Sequence, residues 1–288
     1  MRNTSLGGFR SFLRMLRRSR EAILGFAIVL AYLLVGLLVE LADLLHFHLL
    51  PYSVTQSSGA PLSPPSLAHL LGTDNLGRDL FSRMLSATPY DVAIGYVVVG
   101  FALVVGLLLG GYAGLRGGIL DELLMRFTDV FFALPVLLIA LVIAAALNSQ
   151  GLTETAIALM IVWWPAYARL ARGEALKVAH QNYIEAAKLS GQGSVRMLFR
   201  HVLPNISGTM LVYATLDLGT VLLTYSGLTF LGLGVHPPTP DWGAMITTYK
   251  DYILSAPWLA FFPGLTISLG VIGFSLLGDG VKEAREAR

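Results

Sequence analysis

Residues 182–204 read NYIEAAKLSGQGSVRMLFRHVLP, a polar and basic stretch set between two strongly apolar runs. Tyr183 to Ser190 are mostly good helix formers, and Gly191 suits the left-handed position just past a helix end. Asn182 followed three residues later by Glu185 has capping-box spacing. Ser194 is placed to cap a second short helix through His201, and Pro204-Asn205 to mark the turn into the next apolar run. The expected shape is a helix–Gly–helix elbow. Ala186 and Ala187 would offer a surface without bulk, Glu185 one carboxylate, and Lys188, Arg196 and Arg200 a charged rim. The physical alternative is an amphipathic loop resting on lipid headgroups.

What flanks the elbow decides the class. Hydrophobic residues make up 55% of the chain and charged residues 13%, with a mean hydropathy of +0.68, too apolar for an ordinary soluble domain of 288 residues. Six apolar runs, roughly 22–41, 92–115, 130–147, 156–171, 209–234 and 258–277, approach the length that crosses a hydrocarbon core of about 30 Å. The fourth is the shortest and carries Trp163-Trp164-Pro165, so an earlier start or a kink is expected there. The fold class is therefore an all-α polytopic membrane protein with six transmembrane helices.

Lys and Arg fix the expected orientation. The N-terminal tail, the 116–129 loop, the elbow region and the C-terminal tail hold 17 of these residues. The other side keeps Arg78, Arg83 and Lys250. Such a bias places both termini and the elbow in the cytoplasm. The Arg-rich start before 22–41 resembles a signal peptide, but that run exceeds a typical h-region and no small-residue cleavage site follows closely. It reads as an uncleaved anchor, which leaves residues 43–90 external.

Glu185-Ala186-Ala187, three residues, Gly191, and then Leu203-Pro204 resembles the cytoplasmic coupling loop of ATP-binding-cassette importer permeases. The apolar position of that pattern is here His201, and Arg200-His201-Val202-Leu203-Pro204-Asn205 resembles the peptide and nickel branch. Leu71-Gly-Thr-Asp-Asn-Leu-Gly-Arg-Asp-Leu-Phe-Ser-Arg83 and Gly227 to Gly243 are similar to segments of that branch's second membrane subunit, as is Leu277-Gly-Asp-Gly280. The resemblance implies a type I importer permease fold. Residues 1–85 would form a tail, first helix and external loop, and 86–281 a five-helix core whose coupling loop spans 172–206. It implies ATPase-coupling roles for Glu185, Ala186, Ala187, Gly191, Arg196 and Pro204. It further implies a complex with a second permease subunit as a heterodimer, two ATP-binding subunits and an extracytoplasmic substrate-binding protein. The setting would be lipid of a prokaryotic cytoplasmic (inner) membrane, with no nucleic acid partner. The cargo implied is di- or oligopeptides moved by alternating access, with nickel or another small solute as the alternative.

Charge at membrane depth is sparse. Asp217 lies about eight residues into the fifth run, some 12 Å of helical rise. A bare carboxylate there would cost on the order of 3 kcal/mol, so it should face the bundle interior or a water-filled cavity. It could line the translocation path or bond to a neighbouring helix, and both readings stay open. Glu40 and Asp129 sit near run ends, where snorkelling accounts for them. Trp163, Trp164 and Tyr167 read as interfacial anchors, and Gly106, Gly110 and Gly114 have the spacing of a close helix contact. The stretch 71–83 reads as a Gly- and Asp-rich turn fixing the second helix. Pro237-Pro238 would force an extended exit from the fifth run.

Several chemistries find no residues. The chain has no cysteine, no Gly-x-x-x-x-Gly-Lys-Ser/Thr loop, no His-Glu-x-x-His and no Gly-x-Ser-x-Gly. No catalytic residue, cofactor or metal site is expected, and His46, His48 and His69 read as loop histidines. An ion-coupled secondary transporter would need inverted repeats, and none is evident.

Overall fold

The computed structural model describes residues 20–47, 49–147, 151–235 and 238–286, with side chains as far as Glu283. The N-terminal tail before Arg20, His48 and Pro237, each given a role above, lies outside the described residues. Among those residues there are helices and no named strand, and one isolated bridge joins Thr73 to Asp79. The helices are α1 (Arg20–Leu44), α2 (Leu80–Arg116), α3 (Gly118–Phe132), α4 (Val136–Ala146), α5 (Leu152–Ala179) and α6 (Asn182–Leu189). They continue as α7 (Ser194–Met197), a π-helical turn (Leu198–Val202), α8 (Leu203–Phe230), α9 (Trp242–Tyr249) and α10 (Trp258–Glu286).

Among the described residues, four helical segments are long and apolar enough to cross a bilayer: α1, α2, the run Ser194–Phe230, and α10. The expected third span is two helices, α3 and α4, bent by 89° and counted as a fifth span if taken as one. Pro135 explains the break, since it lacks an N–H and drives the residue before it out of helical geometry. The fourth run begins earlier than 156, at Leu152, and extends to Ala179 with Pro165 inside.

The chain divides into two compact units. In the first (Met1–Tyr96, Ala144–Thr155, Thr215–Arg288), α1 and α10 lie side by side. A Cβ on Gly25 would meet the backbone at Leu276 and Leu277, and one on Gly273 or Gly280 would meet Ile28 or Ala22. Small residues thus set the approach of these helices. The Tyr32 hydroxyl spans the same pair by donating to the Thr266 carbonyl at 2.6 Å.

The expected turn at 71–83 is a buried polar knot in this unit. Asp74 Oδ1 accepts from the Leu76 and Arg78 amides, and Oδ2 from Arg78 Nε at 2.6 Å and the Tyr249 hydroxyl at 2.9 Å. Burial, above all, pushes the Tyr249 hydroxyl up to about 12, so it keeps its proton and donates. Asp79 accepts from Ser82 and, at 2.9 Å, from His69 Nδ1. His69 is therefore a structural partner of a carboxylate. Arg83 Nη1 donates to the Val54 carbonyl at 2.6 Å. Asp241 caps α9 through the Ala244 amide and accepts from the Tyr225 hydroxyl.

In the second unit (Val97–Ile143, Ala156–Ala214), α2 packs on α5 through the predicted glycines. A Cβ on Gly106, Gly110 or Gly114 would collide with the α5 backbone at Tyr167, Ala168 or Arg172. This contact corrects the anchor reading of Trp163 and Tyr167: both are buried, and Tyr167 stacks edge-on to Tyr213. Trp164 meets Phe127 and Phe131 of α3.

Candidate functional site

The elbow forms where expected, with different chemistry at its ends. Helix α6 starts at Asn182 and its N-cap is Gln181, which makes no side-chain capping bond. Asn182 is already the first helical residue, so the Asn182–Glu185 pair cannot act as a capping box. The other end is as read from the sequence. Gly191 has φ +77°, its amide bonds to the Lys188 carbonyl at 3.0 Å, and the Gln192 amide bonds to the Ala187 carbonyl at 3.1 Å. Those two bonds define a Schellman turn, and only a residue tolerant of positive φ closes it without strain.

The second arm is longer than expected. Its N-cap is Gly193 rather than Ser194, and helix then runs without interruption from Ser194 to Phe230. Pro204 therefore marks no turn; it sits in the first turn of α8. The π turn 198–202 just before it supplies the reason. Pro204 has no N–H for the Arg200 carbonyl, its ring crowds that carbonyl, and a wider turn carries the backbone past the conflict. Asn205 Nδ2 takes up the His201 carbonyl at 2.6 Å.

Each predicted residue now has a place. Glu185, Ala186, Gly191, Arg196 and Pro204 are exposed, as are Lys188 and Arg200. Ala187 is buried with Ile184, so the bulk-free surface is Ala186 alone. The second arm buries Met197, Leu198 and Val202, and Leu198, Leu203 and Ile206 pack over Gly111 of α2. Asp217 is buried in α8, within the unit that does not contain the elbow.

Sequence reasoning missed the elbow's outward apolar face. Leu189 is 90% exposed, and Tyr183, Val195 and Phe199 are also exposed. Val195 and Phe199 lie four apart on a helix whose inner face is already filled, and that spacing was the available signal. It also missed two arginine grips. Arg172 holds Asp121 through two bonds of 2.5 and 2.7 Å, and Arg169 holds Asp129 at 2.5 Å and Thr128 at 3.0 Å. The Arg169 guanidinium also lies 4.2 Å from the Phe132 ring centroid. Asp129, read as a snorkelling residue, is thus an ion-pair partner on the α3 side of α5. The hydrogen bond to Asp121 holds the Arg172 guanidinium above its ordinary range.

An exposed elbow with a glycine stop thus sits on a chain of long apolar helices. The chain belongs to the family of binding-protein-dependent transport system inner membrane components, whose model matches residues 102–288. It is a transport permease. The chain is similar to the dipeptide transport system permease protein DppC of Alkalihalophilus pseudofirmus, 35% identical over 99% of this chain and 91% of that one. It is 42% identical to the di/tripeptide transport system permease protein DppC of Pseudomonas aeruginosa, over 79% of this chain and 77% of the relative. It is 41% identical to the glutathione transport system permease protein GsiD of Pectobacterium atrosepticum, over 78% and 74%.

Proposed function

We propose that this chain is one of two membrane subunits of an ATP-driven importer that carries peptides across the prokaryotic cytoplasmic membrane. The proposed topology is six spans with both termini in the cytoplasm, the bent α3–α4 pair and α5 each crossing once. Residues 1–85 then form the tail, first helix and external loop, 86–281 the core, and 172–206 the coupling region. Two ATP-binding subunits supply the energy, and an extracytoplasmic binding protein delivers cargo.

The observation that carries this reading is the exposed elbow. Glu185 and Ala186 stand on a short helix stopped by Gly191, beside outward-facing Leu189, Val195 and Phe199. Large exposed apolar side chains and exposed charges (Lys188, Arg196, Arg200) on one short stretch have the composition of a protein-binding patch. ATP binding draws the two ATPases together, pulls the elbow, and rocks the helices between inward-open and outward-open states. Peptide cargo is supported by relatives named for dipeptides, di- and tripeptides and glutathione. Asp217, a buried carboxylate, is proposed to line the path where a peptide amino group passes.

The test is uptake by cells carrying Glu185→Ala or Gly191→Val, with membrane insertion checked by immunoblot. Uptake is expected to vanish at normal protein levels, and normal uptake contradicts the coupling role. Growth of a deletion strain on defined peptides, alongside nickel uptake, decides the cargo.

A further inference from the structure

We infer that His201 is a positioning residue that holds the two arms of the elbow at a fixed angle. The inference rests on the coupling reading above. The sequence singles out this position because the general importer pattern has an apolar residue there and the peptide and nickel branch a histidine. The structure gives the residue three contacts, two through its ring and one through its backbone carbonyl. Its Nε2 is 3.2 Å from the Gln192 side-chain oxygen, so the ring reaches the residue that closes the Schellman turn. The ring also lies 6.1 Å, centroid to centroid, from that of Tyr183 at the start of α6. The His201 backbone carbonyl, in the π turn, accepts from Asn205 Nδ2. One residue of the second arm therefore touches the first arm, the turn and the start of α8.

The mechanical consequence follows from what else crosses the elbow. Ile184, Ala187, Met197, Leu198 and Val202 bury apolar surface, but such contacts slide; a directional bond does not. Gly193, the N-cap of the second arm, is open: a Cβ there would have no atom within 4 Å. A load applied at Glu185 and Ala186 can then bend the chain at Gly193, between the turn and the second arm, or turn α8. The His201–Gln192 bond blocks the first response. Donation requires a proton on Nε2, which both the imidazolium and one neutral tautomer supply.

The test uses the whole importer in nanodiscs, with spin labels at Asn182→Cys and Arg200→Cys, one on each arm. The chain has no cysteine of its own, so the two introduced ones are its only labelling sites once the other subunits are made cysteine-free. Loss of one such hydrogen bond shifts the balance between fixed and bent elbows about fivefold. We expect a narrow distance distribution with His201, a broad one with His201→Ala, and recovery with His201→Gln, whose amide reaches the same point. Gln192→Ala should broaden it equally. In proteoliposomes loaded through the binding protein, His201→Ala should retain ATP hydrolysis while uptake per ATP falls. An unchanged width in His201→Ala, or no recovery in His201→Gln, overturns the assignment. The labelled-distance arm needs no cargo and no coupling role, so failure of the Glu185 uptake test leaves it separately readable.

Discussion

At the scale of single residues, energy is concentrated where polar groups are buried and mutually satisfied. Asp74 accepts four hydrogen bonds with no solvent exposure, and it faces two buried guanidiniums, those of Arg78 and Arg83. Asp74→Ala strands those cations, which costs on the order of 3–5 kcal/mol by analogy with broken buried pairs. Glu122→Ala removes an exposed pair with Arg126 and should change stability by no more than about 0.5 kcal/mol. Thermal melting of the detergent-solubilised protein separates the two: a large drop for the first and almost none for the second. Equal melting points would show that the knot at 69–83 contributes little.

At the scale of elements, the question is what joins helices that cannot touch by backbone. Glycines let α2 and α5 meet closely, whereas α3 is reached from α5 through long side chains, Arg172 to Asp121, Arg169 to Asp129 and Thr128, and Trp164 to Phe127 and Phe131. If the Arg172–Asp121 pair fixes α3, then Arg172→Asp alone should abolish uptake, and the exchanged pair Arg172→Asp with Asp121→Arg should restore a measurable part. Restoration in the double variant is the expected result. No recovery, with both proteins inserted at normal levels, would mean that the grip is incidental.

Much of this element-level layout could be read from the chain, for physical reasons. Long apolar runs announced a membrane protein of several long helices, and Gly106, Gly110 and Gly114 announced a close helix contact. Gly191 announced the end of α6 because few other residues tolerate its φ. The reading failed where tertiary context decides. Asn182 had capping spacing, but the chain begins its helix one residue too early to use it. Pro204 looked like a break, and a π turn absorbed it. Ala187 differs from Ala186 only in which way it faces, and no local signal gives that. Arg169–Asp129 and Arg172–Asp121 join residues 40 and 51 positions apart, beyond the reach of any periodicity.

At the scale of the whole molecule, the chain is a part rather than a machine. Its family is the membrane component of binding-protein-dependent transport, and it carries no phosphate-binding loop of its own. The elbow combines an exposed carboxylate, large exposed apolar side chains and basic residues, and it is where force from a partner is proposed to arrive. The most direct measurement is site-specific cross-linking in the intact, ATP-turning complex, with one cysteine introduced at Ala186 of this cysteine-free chain. The account predicts a cross-link to an ATP-binding subunit, with yield that changes between nucleotide-free and ATP-trapped states. Cross-links from other positions alone, with position 186 unreactive toward that subunit in every state, would contradict it.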